Sequence, residues 1–305
     1  MATRSEMLEF DLSHVKMRAL AWGPRNGRLA LCLHGFPDSA DSWRSLAPIL
    51  AENGLRVVAP YTRGYAPTSL ADDGDYHMGA LMSDVLELHR ALGAPADAIL
   101  IGHDWGAWTC NAIAALPVSP FAEHISLALP PIRAVDISAQ GSLQRIKMLA
   151  RQCRMSWYIM FFQLPLKPHR ALARVIPRLW KDWSPRGADV SRGIADALAA
   201  LPDDAHRHAA VAYYRAMFRF TRTSPAYADL HRYRFNLPRR PMLLLHGEED
   251  GAMQVGYTRR VLESLPVDSR AKTLQRAGHF CHVDQPRAVA VSILNYLQCT
   301  PSITN

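Results

Sequence analysis

Short apolar segments, each followed by a stretch of helical period, restrict this chain more than any other feature. Arg28–Leu33 (RLALCL), Arg56–Pro60 (RVVAP), Ala98–Ile101 (AILI) and Ile125–Leu129 (ISLAL) are too short for core helices. They also lack the polar alternation of a half-solvated strand, so they predict strands buried on both faces. Between them, Asp41–Glu52, Met78–Leu92 and Trp108–Leu116 predict helices; Trp43, Leu46, Ile49 and Leu50 share one face of the first. Alternation of this kind gives a mostly parallel sheet covered by helices, an α/β architecture. The pattern stops after Leu129. From Arg133 to Pro238 there is no buried-strand run, only helical stretches rich in Trp, Tyr, Phe and Arg. It resumes with Pro241–His246 (PMLLLH), helix Tyr257–Leu265, strand Lys272–Gln275 and helix Arg287–Gln298. The expected organisation is a catalytic core made of 1–132 and 239–305, interrupted by a helical cap over 133–238.

The most informative strand is Ala98–Ile101, because it runs straight into Gly102-His103-Asp104-Trp105-Gly106. This is the G-x-nucleophile-x-G spacing of a sharp strand-to-helix turn. Glycines on either side let the backbone bend without a side-chain clash and hold the central side chain above the sheet edge. That side chain is a carboxylate, not a hydroxyl. A carboxylate attacks a saturated carbon bearing a leaving group and forms an alkyl ester, which water must then cleave. Serine-type acyl transfer is thereby disfavoured.

Two further segments end at the same edge. Pro241–His246 leads into Gly247-Glu248-Glu249-Asp250, and Gly278-His279-Phe280 follows later. Nucleophile, acid and histidine in the order Asp104, Asp250, His279 match the chain order of a hydrolase triad. His279 is expected to take a proton from water, oriented by Asp250. Glu248 and Glu249 compete with Asp250 for the acid role, and His282 competes with His279. His279, His282 and Asp284 could be taken for metal ligands, but no Cys or His cluster joins them by spacing, so no metal is expected. His34-Gly35-Phe36-Pro37 caps the first apolar strand. The Phe36 and Trp105 amides are the candidate oxyanion donors.

Charge and cysteine usage bound the partners. The net charge is +8, but 133–240 alone holds 20 Lys and Arg against 7 Asp and no Glu. These cations are interspersed with Trp, Leu and Ala rather than clustered, so a nucleic-acid partner is not expected. They are expected to surround Asp104 with positive potential that keeps it ionised. The five cysteines, Cys32, Cys110, Cys153, Cys281 and Cys299, are scattered and odd in number. They read as buried free thiols rather than a disulfide framework or zinc ribbon. No apolar run has the length of a membrane span, and Met1–Phe10 carries Arg4, Glu6 and Glu9 in place of a signal-type apolar stretch. A soluble cytoplasmic protein without a cofactor is expected, with a homodimer left open.

Taken together, HGFP (34–37), RGYAPTS (63–69), GHDWG (102–106), GEED (247–250) and GHF (278–280) resemble the epoxide hydrolases of the α/β-hydrolase superfamily. The resemblance implies an α/β-hydrolase fold and the opening of a small apolar epoxide by water to a vicinal diol. It also implies two cap tyrosines that hydrogen-bond the epoxide oxygen. Tyr158, in Ser156–Gln163 (SWYIMFFQ), is similar to the first of these. Tyr214, in Ala212-Tyr213-Tyr214-Arg215, is similar to the second and is preferred over Tyr213 by its Y-R pairing. Trp157, Phe161, Phe162 and Phe218 are expected to line the apolar substrate pocket. Tyr61 and Ala66 depart from the family pattern, where Asp and Gly are common, and bear on substrate preference more than on mechanism.

Two rivals remain. A haloalkane dehalogenase shares the Asp nucleophile and would use Trp105 to bind halide, but its relatives usually carry Asn at the position of Phe36 and have no use for two phenols. A fluoroacetate-type enzyme would favour Arg after the nucleophile. A non-catalytic binding protein of the same fold need not keep Asp104, Asp250 and His279 together.

Overall fold

The computed structural model describes residues 5–299 except Asp136, Ala139, Leu166, Phe220 and Arg259; the side chain of Cys299 and the outer ends of the expected core segments, 1–4 and 300–305, also lie outside that description. The chain opens with a hairpin, β1 (Glu6–Asp11) and β2 (Lys16–Trp22), then β3 (Arg28–Leu33), α1 (Ala47–Glu52) and β4 (Leu55–Pro60). α2 (Met78–Ala91), β5 (Ile99–His103), α3 (Trp105–Ala114) and β6 (Glu123–Leu127) follow. Next comes a wholly helical stretch: α4 (Ser142–Met155), α5 (Trp157–Phe162), α6 (Leu172–Trp183), α7 (Ser191–Ala199), α8 (Asp204–Phe218) and α9 (Ala228–His231). β7 (Met242–Gly247), β8 (Arg270–Leu274), α10 (Cys281–Asp284) and α11 (Pro286–Cys299) complete the chain.

The eight strands form one sheet in the order β1-β2-β4-β3-β5-β6-β7-β8. β1 and β2 pair antiparallel with each other, as do β2 and β4; every other pairing is parallel. β3, β5, β6 and β7 are almost entirely buried, which is why they appear in the sequence as continuous apolar runs. The edges read differently. β1 alternates between exposed and half-buried residues, and β8 is exposed until Leu274. The first hairpin therefore carries its signal as alternation, which a search for apolar runs passes over.

Two expected helices differ for local reasons. Asp41–Glu52 is a 3-10 turn (Ala40–Ser45), N-capped by Ser39, followed by α1. Pro48 lacks the N–H and crowds the preceding turn, so one continuous helix cannot form. Tyr257–Leu265 is instead two 3-10 turns, Val255–Thr258 and Val261–Ser264. Gly256, Thr258 and Val261 are weak helix formers, and Pro266 ends the segment. Cys32, Cys110 and Cys281 are buried thiols as expected, but Cys153 is exposed, because it lies on the outward side of α4.

The helical stretch between β6 and β7 is anchored on the two loops that end β3 and precede α10. The Trp180 indole Nε1 donates to the Pro37 carbonyl at 2.7 Å, and its ring stacks on Phe280 at 3.6 Å. The Trp183 carbonyl accepts the His279 amide at 2.8 Å. α6 thereby holds the backbone of both loops.

Candidate active site

β5 delivers the chain to Asp104, which sits at φ 51°, ψ −113° between the strand and α3. A non-glycine residue in this region costs about 1–3 kcal/mol and persists only where its surroundings force it. Here the surroundings are backbone. A Cβ at Gly102 would meet the Gly106 carbonyl oxygen at 2.1 Å, and one at Gly106 would meet that of Leu33 at 2.3 Å. The turn is closed so tightly that only glycines fit around it, and the carboxylate projects beyond the sheet edge with 14% of its side chain exposed.

Asp104 then meets two of the groups expected from the sequence. Its Oδ1 accepts the Phe36 amide at 2.9 Å. Its Oδ2 lies 3.5 Å from His279 Nε2. The Trp105 amide opens α3, where the first N–H groups of a helix have no carbonyl to bond within it. The approach of the β3 loop is close: a Cβ on Gly35 would stand 2.4 Å from Asp104 Oδ1. Gly35→Ala is therefore expected to push the carboxylate aside and lower turnover about 100-fold, as misplacement on the ångström scale does. Steady-state kinetics with an unchanged melting temperature would show this, and unaltered turnover would contradict it.

His279 Nδ1 lies 3.0 Å from Asp250 Oδ2. Asp250 is buried, whereas Glu248 and Glu249 are exposed, so geometry selects Asp250 as the partner among the three acids. Its Oδ1 accepts the Ala252 and Met253 amides at 2.7 and 2.8 Å. His246 Nε2, 3.1 Å from Asp250 Oδ2 and 3.0 Å from the Met253 carbonyl, completes the cage. Burial opposes charge on Asp250, yet His279 and the His246 hydrogen bond hold its carboxyl well below the usual range. Burial likewise opposes charge on His279, but Asp250 and Asp104 on its two sides push the imidazole up to about 10. The ring thus lies between two acid side chains, which favour its protonated form.

His282 takes no part in this contact. Its Nε2 bonds Ser42 Oγ at 2.9 Å, and its ring lies 4.6 Å from Trp43. It joins Asp38 and His103, with donor atoms of all three within 4.8 Å of one another. Asp38 accepts the Ser39 amide and the Ser42 hydroxyl, His103 Nε2 meets the His279 carbonyl at 3.0 Å, and His103 Nδ1 faces Asp38 Oδ2 at 3.4 Å. Asp284 accepts the Gly278 amide at 2.8 Å. The cluster is a polar floor under the His279 backbone.

Opposite the carboxylate stand aromatic rings from the helical stretch. Tyr158 of α5 and Tyr214 of α8 have ring centroids 5.6 Å apart, edge to face. Tyr214 also packs edge-on to Phe36 at 5.3 Å and Trp105 at 5.2 Å, and Tyr158 packs against Trp183 at 5.1 Å. Burial, reinforced by the Asp104 charge, raises both phenols far above their ordinary pKa. Both therefore stay protonated and able to donate. Tyr213 differs, since its hydroxyl already donates to the Arg63 carbonyl at 2.7 Å. Phe162 is fully buried between Phe36 and Tyr214. Phe161 lies behind it and contacts Trp157, which in turn sits beneath the Arg178 guanidinium at 4.7 Å. Phe218 is 52% exposed, at the rim of a cavity of about 320 Å³ that Trp105, Trp108 and Tyr213 also line.

The sequence did not single out His246, Trp180 or Trp183. Trp183 touches both Tyr158 and His279, the latter at 5.0 Å between rings. The i, i+3 spacing of the two tryptophans on one helix and the i, i+4 spacing of His246 and Asp250 were the available signals. Three arginines of the helical stretch, Arg170, Arg178 and Arg192, pair with Asp204, Asp182 and Asp196. The basic side chain beside Asp104 is that of His279, with Nε2 3.5 Å from Oδ2.

A family model described as alpha/beta hydrolase fold matches residues 31–286. Epoxide hydrolase A of Mycobacterium tuberculosis is 26% identical over 315 residues, covering 94% of this chain and 95% of that protein. Epoxide hydrolase 3 of Xenopus tropicalis is 28% identical over 298 residues, covering 94% and 76%. Among solved structures, epoxide hydrolase A from Mycobacterium thermoresistibile aligns with a TM-score of 0.75 at 22% identity, covering 97% of this chain and 99% of that one. At that identity the likeness speaks for the fold alone. No described helix is long and apolar enough to cross a membrane. With the family model spanning most of its length, the chain belongs to the alpha/beta hydrolase fold family.

Proposed function

We propose that the protein is an epoxide hydrolase that opens a small apolar epoxide to a vicinal diol, with 133–238 serving as the cap over the core. The observation that carries this reading is the pair of buried, protonated phenols, Tyr158 and Tyr214, that feel the charge of a carboxylate held at a nucleophile elbow. The full-length similarity to proteins named epoxide hydrolase supports it.

In the first step an Asp104 oxygen attacks an epoxide carbon and the carbon–oxygen bond breaks. The departing oxygen accepts hydrogen bonds, and then a proton, from the phenols. Phe162 and Phe36 supply an apolar wall, which keeps water from competing for the alkoxide. Trp157, Phe161 and Phe218 shape the pocket from further out. Esterification removes the Asp104 charge, and with it one of the two carboxylates that hold His279 protonated. The imidazole pKa falls, and the ring passes its proton to the phenolate left by the first step, so that a neutral base is present for hydrolysis. His279, oriented by Asp250, then deprotonates a water that attacks the ester carbonyl. The resulting oxyanion faces the Phe36 and Trp105 amides before the diol leaves.

Single turnover in ¹⁸O-water, followed by mass spectrometry of the peptide carrying Asp104, tests this directly. The label enters the carboxylate if the ester forms and hydrolyses at its carbonyl. Diol formation with no label in the protein overturns the reading. Haloalkane dehalogenation shares the ester and draws support from Trp105 beside the site; release of chloride from a chloroalkane with no turnover of a styrene oxide would select it instead.

A further inference from the structure

Helix α4 displays an apolar stripe to solvent. It docks on the core by one side only: Met148 is its sole buried residue, Gln152 Nε2 donates to the Ala252 carbonyl at 2.7 Å, and the Met148 carbonyl accepts from Gln254 Nε2 at 2.7 Å. At about 100° per residue, Leu143, Ile146, Leu149, Ala150 and Cys153 fall together within roughly a third of the circumference, on the side away from Met148. Leu143 is 66% exposed, Ile146 63% and Leu149 51%. Arg145 borders the stripe on one side, and Lys147, Arg151 and Arg154 border it on the other. The helix contains no acidic residue. Among the described residues none of the four cations is ion-paired with a carboxylate.

We propose that this face is a docking surface for an anionic lipid bilayer. An apolar stripe flanked by cations on both sides matches the acyl–headgroup boundary of such a surface, the apolar side chains entering and the cations meeting phosphates. Charge argues against a second copy as the occupant, since self-pairing would set four cations against four with no acid from this helix between them. Three large apolar side chains also fall far short of the ~800 Å² per partner that a stable protein interface buries. α4 runs through Ser156 directly into Trp157 and Tyr158, so docking would set the aromatic wall of the site beside the phase in which an apolar substrate dissolves. Bilayer docking by this face does not depend on that substrate.

Co-sedimentation of the full chain with lipid vesicles tests it without turnover. Vesicles containing about 30 mol% phosphatidylglycerol are expected to bind about tenfold or more tightly than pure phosphatidylcholine vesicles, and molar salt is expected to release the protein. Because the stripe is solvent-exposed, the triple variant Leu143→Ser, Ile146→Ser, Leu149→Ser should keep the wild-type melting temperature while losing about tenfold in binding. The Arg151→Gln, Arg154→Gln pair should lose binding to anionic vesicles only. Equal binding to neutral and anionic vesicles would overturn the proposal, as would full binding by the triple variant. So would a wild-type dimer in sedimentation velocity that the triple variant converts to monomer.

Discussion

His279→Gln is expected to halt the enzyme after one event, with the substrate left bonded to Asp104. The two half-reactions ask different things of this site. Alkylation needs Asp104 ionised and the phenols protonated, and neither condition requires a base. Hydrolysis of the ester needs a proton taken from water, and His279 is the group placed to take it, 3.5 Å from Asp104 Oδ2 and 3.0 Å from its orienting partner Asp250. Glutamine keeps approximate volume and a polar end but cannot act as the base. The hydrolytic step should therefore slow by about 10²–10⁴-fold. Intact-protein mass spectrometry should show one substrate mass added per chain, with diol below one equivalent. Asp104→Asn should yield no adduct. A His279→Gln protein that turns over many equivalents of epoxide without an adduct would contradict the role. The electrostatic part has its own test. Asp250 and Asp104 together push His279 up to about 10, so neutralising Asp104 as Asn must lower the ring's pKa. An NMR titration of the His279 side chain in that variant should show protonation lost at lower pH than in the wild type, and an unchanged titration would remove the electrostatic switch from the mechanism.

Much of this geometry was legible in the sequence because it is local. The elbow is five consecutive residues whose glycines are required by backbone contacts of 2.1 and 2.3 Å, so the motif and the turn are the same fact. Buried strands announce themselves as apolar runs because both faces must be covered. What stayed hidden depends on contacts distant in the chain. Nothing near Trp183 indicates that its carbonyl will hold the amide of His279, 96 positions later. Chain order favours Asp250 over its rivals Glu248 and Glu249, but which of the three side chains the tight loop directs inward shows only in the fold. Tyr213 and Tyr214 are neighbours on α8, yet helical geometry sends one hydroxyl to the Arg63 carbonyl and the other ring to Phe36 and Trp105. The exposed stripe of α4 was missed for the opposite reason. Its apolar residues have the same period as a core-facing helix, and only the packing shows that they face outward.

The phenols offer the sharper comparison, because the protein contains its own control. In the proposed reaction Tyr158→Phe and Tyr214→Phe each remove one donor to the departing oxygen while keeping ring volume. Loss of one such donor from a water-poor site costs about 2.7–4 kcal/mol of barrier, or roughly 10²–10³-fold in rate. The alkoxide of an opened epoxide is strongly basic, so it gains more from a donor than the ground-state ether does, and the loss should fall on alkylation rather than on substrate binding. The double variant should be lower still, with the two effects short of additive, because the phenols share one oxygen and lie close enough to influence each other. Tyr213→Phe provides the contrast: it removes a hydroxyl bonded to a backbone carbonyl, so it should lower stability by about 1 kcal/mol and leave the alkylation rate within a few-fold. The pH dependence follows from the direction of the shifts. A phenol raised above its ordinary pKa keeps its proton to higher pH, so neither tyrosine should produce an alkaline loss of alkylation rate below about pH 10. Stopped-flow measurement of the Trp105 and Trp183 fluorescence change during single turnover separates alkylation from hydrolysis. If Tyr213→Phe slows the first phase as much as Tyr214→Phe does, the assignment of the second phenol fails; if none of the three slows it, the protein does not open epoxides with phenols at all.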